Sequence, residues 1–297
     1  MGEARRLTVR AAGDRDLEVV VDGPNRGAIL LFHAGTPSAA IRYGQVVDPA
    51  AKHGLRTVTY SRPGYAESTP EHGRSVADAA PDSEAVLDAL GADRFVTLGW
   101  SGGGPHAIAC AALLPERCMA AATMASVAPY PSPGLDWLAG MGPENVTEFG
   151  AALKGETSLS EFLEEGAAGL HDVTGEQVAA ALGGLVSEVD RAALEGPLGD
   201  ELAESFRRAV SSGIAGWRDD DLAFTRPWGF DLASMRVPVA IWQGGQDRMV
   251  PFDHGRWLAS NVAGATFHPL EDQGHLSLVH RIDHILDDLV EMGVAQG

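Results

Sequence analysis

This chain has few of the features that mark secreted or membrane-bound proteins. It contains only two cysteines in 297 residues, too few for the disulfide framework of a small secreted domain. Cys110 and Cys118 lie close together around one predicted helix, so we expect two buried thiols. No apolar run is long enough to span a bilayer or to serve as a secretory signal. We therefore expect no membrane association and a cytoplasmic protein.

Positive charge is also scarce. The chain has 22 Lys and Arg against 41 Asp and Glu, a formal net charge of −19, and its only lysines are Lys52 and Lys154. Such a charge keeps a protein soluble and repels phosphate backbones. Because no basic stripe appears either, we predict no nucleic-acid partner. The sequence is compatible with a homodimer.

The pattern of apolar runs predicts an α/β protein. Helical stretches separate most of the predicted strands, which is typical of a mostly parallel sheet with helices on both faces, and the first two strands should form an antiparallel edge. The eight strands are predicted near residues 5–11, 16–21, 28–33, 55–60, 94–100, 120–125, 237–243 and 264–269.

The alternation stops in the middle of the chain. Residues 131–228 lack β-branched runs and are rich in Ala, Glu, Gly and Leu, which predicts a helical cap inserted into a core of residues 1–130 and 229–297. The acidic run 219–221 near the end of this insertion is interpreted as a solvated helix start rather than a metal site.

The most informative motif is a glycine-rich turn around one serine. Residues 99–103 (Gly-Trp-Ser-Gly-Gly) match G-x-S-x-G between a predicted strand and a predicted helix. This motif holds a serine on a strained bend with its hydroxyl exposed, and its small neighbours relieve the crowding. Pro105 suits the first turn of the following helix. We predict that Ser101 is a nucleophile.

The same stretch has a competing interpretation. Gly102, Gly104 and Ala107 match G-x-G-x-x-A, a dinucleotide-binding pattern. That pattern requires an acidic residue after the next strand, about twenty positions on. The predicted strand at 120–125 is followed by Ser and Val instead. We therefore predict no nucleotide cofactor.

A serine nucleophile needs a base, and the base needs an acid that orients it. In sheet hydrolases the chain order is serine, acid, histidine. Asp247 follows a buried strand and a glycine turn, where chemistry lies in open α/β sheets. We predict that it is the acid; Asp253, the nearest competitor, looks like the cap of a helix.

His275 is the predicted base. It follows the last predicted strand and Gly274, and it completes the expected order. His268 lies within the strand and is a poorer choice. His280 and His284 stand four apart on the last predicted helix, but no third ligand converges on them, so we predict no metal site.

The oxyanion of an acyl-transfer reaction needs two backbone N–H donors. One should belong to Gly102, which follows the nucleophile, and the other to Thr36, in the loop after the third strand. An assignment one residue earlier, to Gly35, stays open. Gly35, Trp100 and Met124 are predicted to line the substrate pocket.

With these motifs the chain resembles the serine hydrolases of the α/β-hydrolase fold that carry a helical cap. The resemblance rests on residues 33–37, 61–68, 99–103, 244–247 and 274–275. One departure is visible, since Ala34 separates a histidine and a glycine that are often adjacent in the family. Relatives that open epoxides or remove halides use Asp where this chain has Ser101.

The resemblance implies hydrolysis of a carboxylic ester or lactone of a small, largely apolar molecule through an acyl-enzyme on Ser101. It implies no metal, nucleotide or organic cofactor. Three other reactions stay open: carbon–carbon bond hydrolysis, cofactor-free perhydrolysis, and a proline-iminopeptidase-like reaction in which Glu161, Glu164 or Glu165 binds an amine. A ligand receptor without turnover also stays open.

Overall fold

The computed structural model describes residues 4–294, which form one eight-stranded sheet with helices on both sides. The strands are β1 Arg5–Ala11, β2 Arg15–Asp22, β3 Ala28–His33, β4 Leu55–Tyr60, β5 Phe95–Trp100, β6 Cys118–Met124, β7 Val239–Gly244 and β8 Thr266–Leu270. Each lies within two residues of its predicted position. Along the described part of the chain, no helix has the length and apolarity that crossing a bilayer requires.

Eleven α-helices accompany the sheet within the described residues. They are α1 Gly44–Lys52, α2 Ala79–Ala89, α3 Gly104–Leu113, α4 Pro143–Lys154, α5 Glu156–Leu170, α6 Val178–Ala181, α7 Glu188–Ala193, α8 Pro197–Val210, α9 Ala215–Phe224, α10 Phe252–Asn261 and α11 Ile282–Val294. Short 3-10 turns connect several of them.

The strand order is β1-β2-β4-β3-β5-β6-β7-β8. β1 and β2 pair antiparallel, and β2 pairs antiparallel with β4, whereas every pairing from β4 to β8 is parallel. The predicted α/β-hydrolase fold with an antiparallel edge is confirmed. The carboxyl ends of the parallel strands therefore meet at one edge of the sheet, where ligands bind in open α/β folds.

The core forms two layers because successive strand residues point to opposite faces. In β3, Leu30 and Phe32 belong to one buried cluster, whereas Ile29 and Leu31 belong to the other. Helices α1 and α11 cover the first face, and α2, α3 and α10 cover the second. All six residues of β5 and of β7 are buried, as strands covered on both faces require.

Helices α4–α9 form a helical insertion between β6 and β7. They fall inside the predicted cap, residues 131–228, whose division from the core stays a prediction. Leu159, Leu163 and Phe206 of the insertion join the buried cluster on the α1 face, so the insertion packs directly on the sheet domain.

Candidate active site

Ser101 lies on a strained turn between β5 and α3. Its φ is +56°, in the left-handed region that non-glycine residues rarely adopt. The turn leaves no room for side chains at its glycines. A Cβ at Gly99 would lie 2.3 Å from the Gly103 carbonyl oxygen, and one at Gly103 would lie 1.9 Å from that of His33. Strain of this kind costs about 1–3 kcal/mol and is typical of functional sites.

His275 and Asp247 are hydrogen-bonded to each other. The His275 Nδ1 lies 2.8 Å from Asp247 Oδ2, and both side chains are almost completely buried. The other carboxylate oxygen, Oδ1, accepts the backbone N–H groups of Met249 and Val250, each at 2.8 Å. Asp247 is therefore fixed by its own loop and orients the imidazole.

The fold brings these residues to one edge of the sheet. Ser101 follows β5, Asp247 follows β7 and His275 follows β8, and β5 to β8 are parallel neighbours. The loops touch: a Cβ at Gly244 would lie 2.2 Å from the Gly274 carbonyl oxygen. Ser101 and His275 line the same cavity. Among the described residues, no hydrogen bond joins Ser101 to His275.

Burial and charge act in opposite directions on this pair. Burial disfavours the charged imidazole, but the Asp247 carboxylate outweighs it, so the pKa of His275 is raised above its ordinary value. Burial also raises the pKa of Asp247, against the lowering effect of His275 and of the Val250 N–H. The raised pKa makes the neutral His275 imidazole a stronger base.

The loop after β3 lies against the serine turn. A Cβ at Gly35 would lie 3.3 Å from the Ser101 Cβ, and one at Gly102 would lie 2.4 Å from the Thr36 Oγ1. Gly35 and Thr36 both line the cavity beside Ser101. The structure thus places the residues of the predicted oxyanion site together, and the choice between Gly35 and Thr36 as donor stays a prediction.

A buried ion pair fixes this loop. Arg62 donates to the carbonyl oxygens of Ala34 and Gly35, each at 2.7 Å. It also binds Asp220 Oδ2 of α9 at 2.6 Å, and the Thr36 hydroxyl donates to the same oxygen at 2.8 Å. The loop beside Ser101 is therefore tied to the helical insertion.

Asp220 is surrounded by donors. Besides Arg62, it accepts a bond from the Tyr65 hydroxyl at 2.9 Å and contacts Arg74 Nη1 at 2.7 Å. His106 Nε2 lies 3.4 Å away. Burial alone would raise the pKa of Asp220, but the two arginines hold it well below its ordinary value. This carboxylate is the negative centre of a buried network that holds the loop beside Ser101.

The interpretation of residues 219–221 as a solvated helix start was wrong. Asp219, Asp220 and Asp221 lie inside α9 and are 2%, 0% and 1% exposed. The partners of Asp220 lie more than 100 residues earlier in the chain, so the local sequence could not reveal them. The only available signal was Arg62, inside the motif at residues 61–68.

A cavity of about 400 Å³ opens above Ser101. Gly35 and Trp100 line it, as predicted. Met124 does not: it is completely buried in the core, because its strand neighbours Trp100 and Trp242 enclose it. The helical insertion supplies much of the apolar wall, including Phe162, Leu170, Leu182, Leu185, Leu202, Phe206 and Trp217.

The charged side chains of the cavity are acidic. Glu144, Glu148 and Glu165 line it, and among the described residues of its wall there is neither Lys nor Arg. Glu148 accepts the Trp217 Nε1–H at 2.6 Å, and burial raises the pKa of Glu148. Burial and the neighbouring Glu148 raise the pKa of Asp221 well above its ordinary value. The described residues contain no cluster of three or more potential metal ligands.

The competing candidates have other roles in the structure. His268 stacks on Trp242 with 4.1 Å between ring centroids and contacts Asp288 at 2.9 Å. Asp253 is an exposed residue in the first turn of α10, where it pairs with Arg256. Of the three acids considered for amine binding, only Glu165 lines the cavity.

Comparisons with known proteins agree with this architecture. Residues 27–154 match the family model of the alpha/beta hydrolase fold. A curated 2-hydroxy-6-oxononadienedioate/2-hydroxy-6-oxononatrienedioate hydrolase from Cupriavidus pinatubonensis is 24% identical over 292 residues, 92% of this chain and 89% of the relative.

Two solved structures are similar over nearly the whole chain. A hydrolase from Pseudomonas aeruginosa has a TM-score of 0.68 at 19% identity and covers 98% of both chains. The enol-lactonase from Burkholderia xenovorans has a TM-score of 0.66 at 20% identity, over 96% of this chain and 99% of its own. The chain has the α/β-hydrolase fold.

Proposed function

We propose that the protein is a serine hydrolase that cleaves a carboxylic ester or lactone of a small, largely apolar molecule through an acyl-enzyme on Ser101. The observation that carries this proposal is that Ser101, on its strained turn, and His275 line one cavity. The Nδ1 of His275 is hydrogen-bonded to the buried Asp247 carboxylate. A serine, a base and an orienting acid are the parts that nucleophilic catalysis requires.

In the proposed reaction His275 Nε2 takes the proton of the Ser101 hydroxyl as Oγ attacks the carbonyl carbon. The backbone N–H groups of Gly102 and Thr36 donate to the resulting oxyanion. His275 then gives its proton to the leaving oxygen, the carbon–oxygen bond breaks, and the acyl group stays on Ser101. Water attacks this ester, its proton passes through His275 to Ser101, and the acid is released.

The helical insertion acts as a cap in this proposal. Its apolar side chains and Trp100 form the wall that receives the acyl part of the substrate. A wall of this kind excludes water and strengthens the oxyanion hydrogen bonds. The substrate is a small molecule because a cavity of about 400 Å³ is of the size that small ligands occupy.

Carbon–carbon bond hydrolysis is the second candidate, since several curated relatives carry the name of a dienedioate hydrolase. A dioate has two carboxylates, and basic groups normally bind such anions. The acidic cavity wall, which contains no Lys or Arg among its described residues, favours an uncharged substrate instead. The name of the enol-lactonase among the structural neighbours agrees with an ester or lactone.

A fluorophosphonate probe and a panel of substrates test the proposal. The panel contains short-chain 4-nitrophenyl esters, lactones, an amino-acid arylamide and a 2-hydroxy-6-oxo-dienedioate. We expect wild type to label at Ser101 and to turn over at least one ester or lactone, whereas Ser101→Ala should do neither. Ser260→Ala, at an exposed position of α10, is the control and should match wild type.

Several outcomes would contradict the proposal. Labelling that persists in Ser101→Ala would move the nucleophile to another residue. A stable acyl adduct without turnover would indicate a receptor. Preferred cleavage of the dienedioate or of the arylamide would replace ester hydrolysis by the carbon–carbon or aminopeptidase reaction.

A further inference from the structure

Asp190, in α7 of the helical insertion, binds the backbone of the loop that carries His275. Its side chain is completely buried. The carboxylate accepts the His275 N–H at 3.0 Å through Oδ2, and the N–H groups of Leu276 and Ser277 at 2.8 and 2.9 Å through Oδ1. A single acid thus satisfies three consecutive backbone donors, 85 to 87 residues away in the chain.

These three donors lack an alternative acceptor close by in the chain. They precede and begin the helical turn Ser277–Arg281, whose N-cap residue Leu276 has no side-chain acceptor. The first N–H groups of a helix need such an acceptor, and a carboxylate is the strongest one. Asp190 supplies it from another part of the fold.

The contact is closely packed. A Cβ at Gly274 would lie 2.4 Å from both carboxylate oxygens of Asp190, so only glycine lets the carboxylate approach. The Ser187 hydroxyl, at the N-cap of α7, donates to Asp190 Oδ2 at 2.8 Å and fixes that oxygen. Oδ2 is therefore held both by the His275 loop and by Ser187, whereas Oδ1 is held by the His275 loop alone.

We propose that Asp190 is a positioning residue, through which the seated helical insertion holds His275 in the orientation that activates Ser101. This inference rests on the proposed function. Three separate contacts then fix the position of His275. Asp247 binds its ring at 2.8 Å, and Asp190 accepts its backbone N–H. Trp100 Nε1 donates to its backbone carbonyl oxygen at 3.3 Å. Displacing the insertion would remove the second contact and leave the other two.

The consequence is a link between the position of the insertion and the chemistry. If the insertion moves away, three backbone donors lose their acceptor and the His275 loop can relax. Catalysis is sensitive to such changes, because a displacement of about 1 Å can lower a rate by about a hundredfold. An insertion packed in this position would thus both enclose the substrate and hold His275 in the orientation that a base needs.

Asp190→Asn is the central variant because it keeps the shape of the side chain. The amide can accept through one oxygen only, and its NH₂ group would oppose a backbone N–H. We expect kcat to fall about tenfold or more while KM changes little, because the base and not the cavity wall is disturbed. Glu188→Gln removes one negative charge at an exposed position of the same helix and should behave as wild type.

The pH profile separates positioning from general destabilisation. The charged groups that face His275 are Asp247 and Asp190, and both carboxylates favour its protonated form. Removing the Asp190 charge lowers the pKa of His275, so the acid limb of kcat/KM should move to lower pH. A merely structural loss would reduce the amount of active enzyme and leave that limb in place.

A second variant and a second measurement cover the case in which Asp190→Asn folds poorly. Ser187→Ala removes one donor to Asp190 and should change kcat in the same direction but by less. Hydrogen exchange at residues 275–277, followed by mass spectrometry, should be faster in both variants than in wild type and Glu188→Gln.

The inference and the proposed function fail in different ways. Wild type that is not labelled at Ser101 refutes the proposed function. Wild type that is labelled and active, alongside a folded Asp190→Asn variant with unchanged kcat, pH limb and amide exchange, refutes the positioning role alone.

Discussion

At the scale of single residues, the two oxygens of Asp247 have different tasks. Oδ1 accepts two backbone N–H groups of its own loop, and Oδ2 accepts the His275 Nδ1–H and a bond from Gln243 Nε2 at 3.1 Å. With its Nδ1 occupied in this way, the neutral imidazole has a free Nε2 lone pair, which is what a general base needs.

Asp247→Asn should therefore leave the His275 imidazole in place but prevent it from acting as a base. If the amide oxygen keeps the backbone donors, its NH₂ group faces His275 Nδ1 and favours the other tautomer, in which Nε2 already carries a proton. We expect kcat/KM at neutral pH to fall by about 10³ to 10⁴. Loss of the carboxylate also lowers the pKa of His275, so the acid limb of the residual activity should lie at lower pH.

Kinetics of 4-nitrophenyl ester hydrolysis across pH 5–9 provide the measurement. Asp253→Asn is the matched control, since Asp253 is the nearest other acid in the chain and is exposed on α10. A large loss in Asp253→Asn with little change in Asp247→Asn would reverse the assignment of the acid.

At the scale of elements, His254 connects α10 to the segment that leads into the helical insertion. Its Nδ1 accepts the Ala128 N–H at 3.1 Å, and its Nε2 lies 2.8 Å from the Trp137 carbonyl oxygen, to which it donates. This arrangement needs the neutral ring. If Nδ1 were protonated, it could no longer accept the Ala128 N–H, and two N–H donors would face each other. Burial lowers the pKa of His254 to about 4.

Because the pKa of His254 differs between the folded and unfolded states, the free energy of unfolding depends on pH. The unfolded chain takes up this proton near pH 6.5, but the folded protein takes it up only near pH 4, so the contribution of His254 is lost as pH falls between these values. At about 1.36 kcal/mol per pH unit, the loss is about 3 kcal/mol.

Urea unfolding of wild type and His254→Gln at pH 7 and pH 4.5 tests this expectation. Glutamine can accept from Ala128 and donate to Trp137 without titrating. The stability advantage of wild type over the variant should therefore shrink toward acid pH. His171→Gln, at a position 68% exposed in the insertion, controls for the loss of any histidine. An advantage that is constant with pH would mean that His254 is not held neutral.

The elements also show what the sequence could and could not predict. The strands were recognisable because apolar runs with glycine turns determine them locally, and Ser101, Asp247 and His275 stand where those runs end. Asp220 and Asp190 were not recognisable as buried acids. Their partners, Arg62 and the backbone of residues 275–277, come from distant parts of the chain. A run of aspartates looks solvated until the fold supplies its donors.

At the scale of the whole molecule, the net charge of the protein and the acidic wall of the cavity both disfavour an anionic substrate. The chain carries a formal charge of −19, and the only acidic or basic side chains lining the cavity, other than His275, are Glu144, Glu148 and Glu165 among the described residues. An anionic substrate is repelled on approach by the whole protein and again in the cavity by its wall. An uncharged substrate meets neither barrier.

The acidic cavity wall should make the protein discriminate between two esters of the same length. 4-Nitrophenyl valerate and mono-4-nitrophenyl glutarate differ mainly in a terminal carboxylate on the acyl chain. At low ionic strength we expect kcat/KM to be at least about tenfold higher for the uncharged ester. The ratio should decrease as salt screens the charges, since the Debye length falls to about 8 Å at 0.15 M.

Two variants on α5 locate the effect. Glu165 lines the cavity, whereas Glu161 is exposed on the same helix and does not. Glu165→Gln should therefore raise kcat/KM for the glutarate ester relative to the valerate ester, and Glu161→Gln should leave that ratio unchanged. If wild type instead prefers the anionic ester at low salt, the acidic wall does not meet the acyl chain. The proposal of an uncharged substrate would then be wrong.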